Sequence, residues 1–275
     1  MLRATVWVPE HPRPSTGAGQ GPRLDGAADG SGPGAGTGPG TLRDHVAAWV
    51  RATAASGTGL LRRDGWQLAA LDPLTSRRAA VLILFGDAPS GAGAGRGGAD
   101  PSRSGPADAL HGLDLLFVMR SAGLSNHPGQ VAFPGGATDA GDVDEGAAAL
   151  REAQEETGLD PSGVEILGLL PEVGLPISNF MVTPVLGWWA RQSPVRVMDR
   201  GESEHVFRCS VDALLDAANR RTAVLHREGF VSRTPAFLTP HVVIWGFTAM
   251  LLDAVFEGLG WTLPWDESME IPAPL

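Results

Sequence analysis

Between Phe133 and Leu159 the chain reads FPGGATDAGDVDEGAAALREAQEETGL, and no other stretch restricts the fold as much. A Pro-Gly-Gly turn leads through a short acidic loop into residues of high helix propensity, and Gly158 supplies a stop just beyond them. In a helix Glu152, Glu155 and Glu156 stand at i, i+3 and i+4, so their side chains emerge on one face. Two unit charges about 6 Å apart repel by roughly 3 kcal/mol at an effective dielectric near 20, and a divalent cation relieves that repulsion. Carboxylate oxygens suit a hard ion, Mg²⁺ or Mn²⁺, which makes Glu152, Glu155 and Glu156 candidate metal ligands and points to phosphate chemistry. Arg151, one turn before Glu155, is spaced to pair with it and hold that carboxylate in place. A solvated acidic helix face is the competing interpretation. The glycine turn at a loop's distance, the stop at Gly158 and the packing positions Ala147, Ala148, Leu150 and Ala153 weigh against it.

The segments around this stretch supply a sheet. Residues 79–85, AAVLILF, and 113–119, LDLLFVM, are continuous apolar runs suited to strands covered on both faces, and QVAF feeds the Pro-Gly-Gly turn. VEILGLLPEV, FMVTPVLGWWA and EHVFRCS give three more strands between Pro- and Gly-containing turns. Thr41 is suited to cap a helix in which Leu42, Val46, Trp49 and Val50 share a face. A short helix is expected over 211–219 and a longer one over 240–257. The Gly- and Pro-rich residues 1–40 bury little and read as a disordered tail, and 86–112 read as a surface insertion. Residues 41–270 remain as the domain that carries the chemistry.

Composition excludes several functions. All 21 basic residues are arginine against 31 acidic ones, a formal charge of -10, which argues against nonspecific nucleic-acid binding. Cys209 is the only cysteine, so no internal disulfide can form and a cysteine zinc site is ruled out in practice. No apolar run reaches the roughly 18 residues of a membrane span, and the N-terminus lacks the apolar core of a signal peptide. The expected setting is cytoplasmic, and a homodimer is the one macromolecular assembly left open.

Residues 136–159 resemble the Nudix box, G-x5-E-x7-R-E-U-x-E-E-x-G-U, with U a bulky aliphatic. Arg151, Glu152, Glu155, Glu156, Gly158 and Leu159 match it, and Ala153 is a small residue where U is expected. The chain has one residue more between Gly136 and Arg151 than the general box, and the box glutamate falls at Asp142 counted from Gly136 or at Val143 counted back from Arg151. Asp142, Asp144 and Glu145 are the acids available to replace it. Upstream, RSAGLSNHPGQVAFPGG is similar to the second signature of the coenzyme A-directed Nudix branch, at Arg120, Ser121, Ser125, His127, Gly129 and Phe133 to Gly136. Val118 stands where that branch often has Ser or Thr, and the branch also tolerates the longer spacing.

The resemblance implies a Nudix α/β/α sandwich with a mixed β-sheet. It also implies hydrolysis of the diphosphate bond of coenzyme A or an acyl-CoA, giving (acyl-)4'-phosphopantetheine and adenosine 3',5'-bisphosphate. Arg120, His127, Gly135 and Gly136 become candidate substrate contacts. Glu204 is the candidate proton acceptor from outside the box. His127 equally suits a purely loop-holding role. The alternatives are hydrolysis of another nucleoside diphosphate derivative, such as ADP-ribose or NADH, and a catalytically silent metabolite sensor.

Overall fold

A computed structural model describes residues 41–61, 71–72, 75–88, 110, 112–124, 127–175, 178–227, 230–240 and 242–274. The tail expected over 1–40 lies outside these residues, as does most of the insertion expected over 86–112. The described ends of that insertion are drawn together: Asp87 pairs with Leu113 across an antiparallel ladder, and Ala88 N donates to Gly112 O at 2.6 Å.

Helix α1 (Leu42–Ser56) opens with a reciprocal capping box between Thr41 and Asp44 and ends at Gly57. Strands β1 (Arg77–Asp87) and β2 (Leu113–Arg120) are buried on both faces, as their unbroken apolar runs require. Two short strands follow, β3 (Val131–Ala132) and β4 (Gly135–Ala137), then helix α2 (Glu145–Thr157). Next come β5 (Val164–Leu169), β6 (Val173–Leu175), β7 (Phe180–Trp189) and β8 (Ser203–Ser210). These strands form one mixed sheet in the order β3-β2-β1-β7-β5, with β4 on β1, β6 on β7 and β8 on β2. The β1–β7 pair is parallel and the remaining pairs are antiparallel.

Because side chains alternate along a strand, β1 serves two cores at once. Ala80, Leu82 and Leu84 pack with Ala148, Ala149 and Ala153 of α2 on one side. Ile83 and Phe85 pack with Val46 and Val50 of α1 and with the C-terminal helix on the other. The alanines of α2 let its backbone lie close on the sheet, so Ala153 answers the need that a bulky aliphatic meets in the general box pattern. The result is the α/β/α sandwich expected from sequence.

The C-terminal third departs from expectation. The expected 211–219 helix is split by Asp216 into α3 (Val211–Leu215) and a 3₁₀ turn over Ala217–Asn219, because the Asp216 side chain caps the second turn at Ala218 N. The expected 240–257 helix starts later, as α4 (Gly246–Gly258). Val243 and Ile244 instead form β11 against β10 (Phe230–Leu238), a pairing that β-branched residues favour, and Gly246 at φ 64° turns the chain into the helix. Strands β9 (Arg220–Arg227), β10 (Phe230–Leu238) and β12 (Glu270–Pro272) complete a second sheet, order β11-β10-β9-β12, that sequence reading did not anticipate. Helix α4 packs on this sheet. The buried Arg220–Asp253 ion pair joins them, with the guanidinium 4.2 Å from the Phe237 ring centre and 4.6 Å from that of Trp265. Thr248 Oγ1 donates to Val131 O at 2.8 Å, tying α4 back to β3.

Candidate functional site

The candidate site lies where β4 crosses α2. Helix α2 begins locally: Asp144 Oδ1 accepts from Ala147 N at 2.7 Å as its cap, and Glu145 occupies the favourable first turn. Gly158 ends it in the left-handed conformation, φ 70°, with its N–H on Gln154 O at 2.8 Å.

Two glycines fix how closely β4 meets this helix. A Cβ on Gly135 would stand 2.3 Å from Ala80 O and 2.6 Å from Val81 Cα, so only glycine lets β4 lie on β1 here. A Cβ on Gly136 would stand 2.5 Å from the Glu152 carboxyl, which therefore rests against the bare backbone. Gly135 N donates to Glu156 Oε2 at 3.1 Å. Both glycines meet the helix carboxylates directly.

The electrostatics follow from this packing. Burial pushes the Glu152 carboxyl above its usual range, against the opposing pull of Arg151. Glu156 as a residue is partly exposed, but its carboxyl lies deep beside Gly135, and loss of hydration pushes its pKa up to about 7. The Gly135 N–H and the charge of Arg120 oppose that rise, and the charges of Glu152 and Glu202 add to it. Glu155 is different, with its side chain 59% exposed and one oxygen 3.1 Å from Arg151 Nη1.

Arg151 is the hub of the acidic loop. Its Nε and Nη2 donate to Asp142 Oδ1 and Oδ2, both at 3.0 Å, in a two-pronged fork. Nη1 donates to Glu152 at 3.0 Å as well as to Glu155, and Nη2 also reaches Ala137 O at 3.0 Å. The fork holds the Asp142 carboxyl below its ordinary pKa, with the Asp139 N–H as second cause. Of the three loop acids, Asp142 is the one that Arg151 holds in a fork. Asp144 is committed to the cap, and Glu145 lies 3.8 Å from Arg78, which pairs with Glu172 at 2.8 Å. Val143, the other position to which counting leads, is 88% exposed.

The remaining predicted residues divide. Arg120 ends β2 with its Nε buried and no hydrogen-bond partner among the described residues, and its charge acts on Glu156. His127, exposed and at φ 54°, has Nδ1 3.0 Å from Gln130 Oε1, so it braces the turn before β3. Glu204 Oε1 accepts from Ala122 N at 2.9 Å and so orders the loop after β2. Glu202, two residues earlier, escaped the sequence reading, yet it is the acid outside α2 whose charge Glu156 feels. Glu202 is exposed in the turn before β8, and Glu204 is half-buried on that strand.

Among the described residues no three His, Cys, Asp or Glu side chains converge on one point as a ready cation cage. What the site offers is a pair of hydration-starved carboxylates, Glu152 and Glu156, one turn apart, with Glu155 alongside on Arg151. That donor set fits a hard divalent cation, whose charge would replace the lost hydration.

A family model described as NUDIX domain matches residues 108–228. Proteins named Uncharacterized Nudix hydrolase NudL, from Salmonella paratyphi B and Salmonella newport, are each 39% identical over 146 residues, which is 53% of this chain and 75% of theirs. Among solved structures, a Nudix hydrolase from M. Smegmatis, RenU, is similar over 51% of this chain and 74% of its own, at 22% identity and a TM-score of 0.35. A structural likeness that low says nothing about chemistry.

Proposed function

The chain belongs to the Nudix hydrolase family, and from that premise we propose that it cleaves the diphosphate bond of coenzyme A or an acyl-CoA, releasing (acyl-)4'-phosphopantetheine and adenosine 3',5'-bisphosphate. One observation carries the choice of substrate. The segment from Arg120 to Gly136, which resembles the coenzyme A-directed signature, bears on Glu156 from both its ends: Gly135 N donates to the carboxyl, and the Arg120 charge acts on it. We take residues 41–270 as the hydrolase domain, since α1 and α4 share a core with the sheet. No helix among the described residues is long and apolar enough to cross a membrane.

Nudix hydrolases generally use divalent cations, and Glu152, Glu155 and Glu156 are the residues that would hold Mg²⁺ or Mn²⁺ here. When bound, such an ion would neutralise the diphosphate and orient water. The chain's own residues do the rest. Gly135 and Gly136 let the backbone of β4 approach a phosphate without side-chain obstruction. Arg120, whose charge acts on Glu156, is the guanidinium we assign to a phosphate oxygen. Arg151, fixed by Asp142, prevents Glu152 and Glu155 from swinging away. We assign the uptake of the water proton to a carboxylate from outside α2: Glu204, whose Oε1 also accepts from the Ala122 amide, or Glu202, whose charge acts on Glu156. His127 holds its loop.

The test is a substrate panel of coenzyme A, acyl-CoAs, ADP-ribose and NADH, with and without Mg²⁺ or Mn²⁺, with products identified by mass. Coenzyme A and its acyl derivatives should be cleaved, and only with metal. Glu155→Gln should abolish that turnover while the variant stays folded. Near wild-type activity in a folded variant refutes the metal role, and cleavage of ADP-ribose or NADH alone refutes the choice of substrate.

A further inference from the structure

Strand β3 leads the chain to Gly135 and pairs with β2 along one edge. Arg120 N donates to Gln130 O at 2.9 Å, so the Gln130 carbonyl points to β2. Carbonyls of successive strand residues point to opposite sides, which turns the next one, Val131 O, away from β2. Val131 is buried, and a buried carbonyl needs a partner. That partner is the Thr248 hydroxyl of α4, which donates to it at 2.8 Å.

Thr248 is itself buried and stands in the first turn of its helix. A threonine there commonly bonds its own local backbone, but this hydroxyl crosses to a residue 117 positions away in the chain. The helix that carries it is a fixed post. Leu251, Leu252, Val255 and Phe256 are fully buried, and the Arg220–Asp253 pair joins α4 to the second sheet. Gly258 lies so near α1 that a Cβ there would stand 2.4 Å from the Trp49 indole. All of this happens on the face of the main sheet opposite α2.

A short path connects the post to the candidate site. Beyond Val131, Phe133 stacks on Phe117 with ring centres 5.1 Å apart, and Pro134 O accepts from Leu82 N at 2.7 Å. Gly135 N then donates to Glu156 Oε2 at 3.1 Å. The first two contacts set the segment against β2 and β1, and the Thr248 bond sets how far it stands from α4. Arg120 has separate support: it is in register with Ser203 of β8, and the next amide, Ser121 N, donates to Glu202 O at 2.8 Å. A shift of β3 therefore acts on the Gly135 amide before it acts on Arg120.

We propose that Thr248 is a positioning residue for the hydrolysis: its hold on Val131 O fixes the Gly135 amide on Glu156, so that α4 governs turnover from the far face of the sheet. This rests on the place given to Glu156 in the site above.

The experiment compares the wild type with Thr248→Val and Thr248→Ala, which lack the hydroxyl, and with Thr248→Ser, which keeps it. Ala254→Gly, further along α4, weakens the helix by propensity alone and serves as the control. On the full chain with Mg²⁺, kcat and KM are measured for the substrate that the wild type cleaves best in the panel above, melting temperatures are recorded, and amide hydrogen exchange is followed over 131–137. Both hydroxyl-free variants should lower kcat about tenfold, as a lost hydrogen bond implies, with KM within about twofold of wild type and faster exchange at Gly135. Thr248→Ser should keep kcat close to wild type, and Ala254→Gly should keep it despite a lower melting temperature. Unchanged kcat in both hydroxyl-free variants overturns the proposal, and so does an equal fall in Ala254→Gly. A wild type that cleaves nothing in the panel overturns the functional reading instead. Exchange then decides the positioning, which unchanged protection of Gly135 in the hydroxyl-free variants overturns.

Discussion

Glu156→Gln should make the metal-free protein more stable at alkaline pH, although it removes a carboxylate from the centre of the site. The Glu156 carboxyl has its pKa raised from 4.5 to about 7, first by desolvation. Between those two pH values the folded protein keeps a proton that the unfolded chain has released, so stability falls as pH rises, and the loss is complete above 7. At 1.36 kcal/mol per tenfold change the full penalty is about 3 kcal/mol. Glutamine carries no such penalty. Its Oε1 can still accept from Gly135 N, but its amide is then buried with poorer partners, at a cost of about 1 kcal/mol. The variant should therefore be about 2 kcal/mol more stable than wild type at pH 8 and about 1 kcal/mol less stable at pH 4.5. Chelator-treated protein would be unfolded in urea at both pH values. By thermal unfolding the pH 8 difference should appear as roughly 4–8 °C, at 2–4 °C per kcal/mol for a protein of this size. Adding Mg²⁺ at pH 8 should then stabilise wild type more than Glu156→Gln, because a cation that binds only the folded state adds to its stability. A stability difference independent of pH would refute the burial argument, and an equal response to Mg²⁺ would refute the metal role.

Other expectations separate the parts of the site. Asp142→Ala should leave the Arg151 fork without its main partner and lower kcat about 10- to 100-fold, with KM less affected; unchanged kcat in steady-state assays would count against Asp142 as the replacement for the box glutamate. The two glycines should behave differently when changed to alanine. Gly136→Ala pushes only on the flexible Glu152 carboxyl, so the fold should survive while metal-dependent turnover falls, whereas Gly135→Ala pushes on the backbone of Ala80 and Val81 and should cost about 1–3 kcal/mol in urea unfolding. Equal stability losses in the two variants would contradict that distinction.

The helix half of the site was legible in the sequence because its geometry is local. Spacing at i, i+3 and i+4 places Glu152, Glu155 and Glu156 on one face whatever surrounds them, and Gly158 ends α2 by its own left-handed φ of 70°. The same holds for β1, β2 and β7, whose apolar runs need cover on both faces, and for α1, which Thr41 caps. The second sheet was not legible. Its strands pair across the β9–β10 hairpin and with β12 at the far end of the chain, and Arg220 is buried only because Asp253, Phe237 and Trp265 meet it there.

Within the site, only the tertiary structure chose among the acids. The acidic loop offered Asp142, Asp144 and Glu145 as equivalents, and the fork on Arg151, the cap on α2 and the proximity of Arg78 assigned each a different task. In RGESE, Glu204 accepts from the Ala122 amide, and the charge of Glu202 acts on Glu156. The sequence by itself determined which carboxylates a helix presents together, since that depends on the helical repeat. Which further charges join them depends on contacts between residues far apart in the chain, and those exist only once the sheet has brought the ends of β2, β4, β8 and α2 to one place.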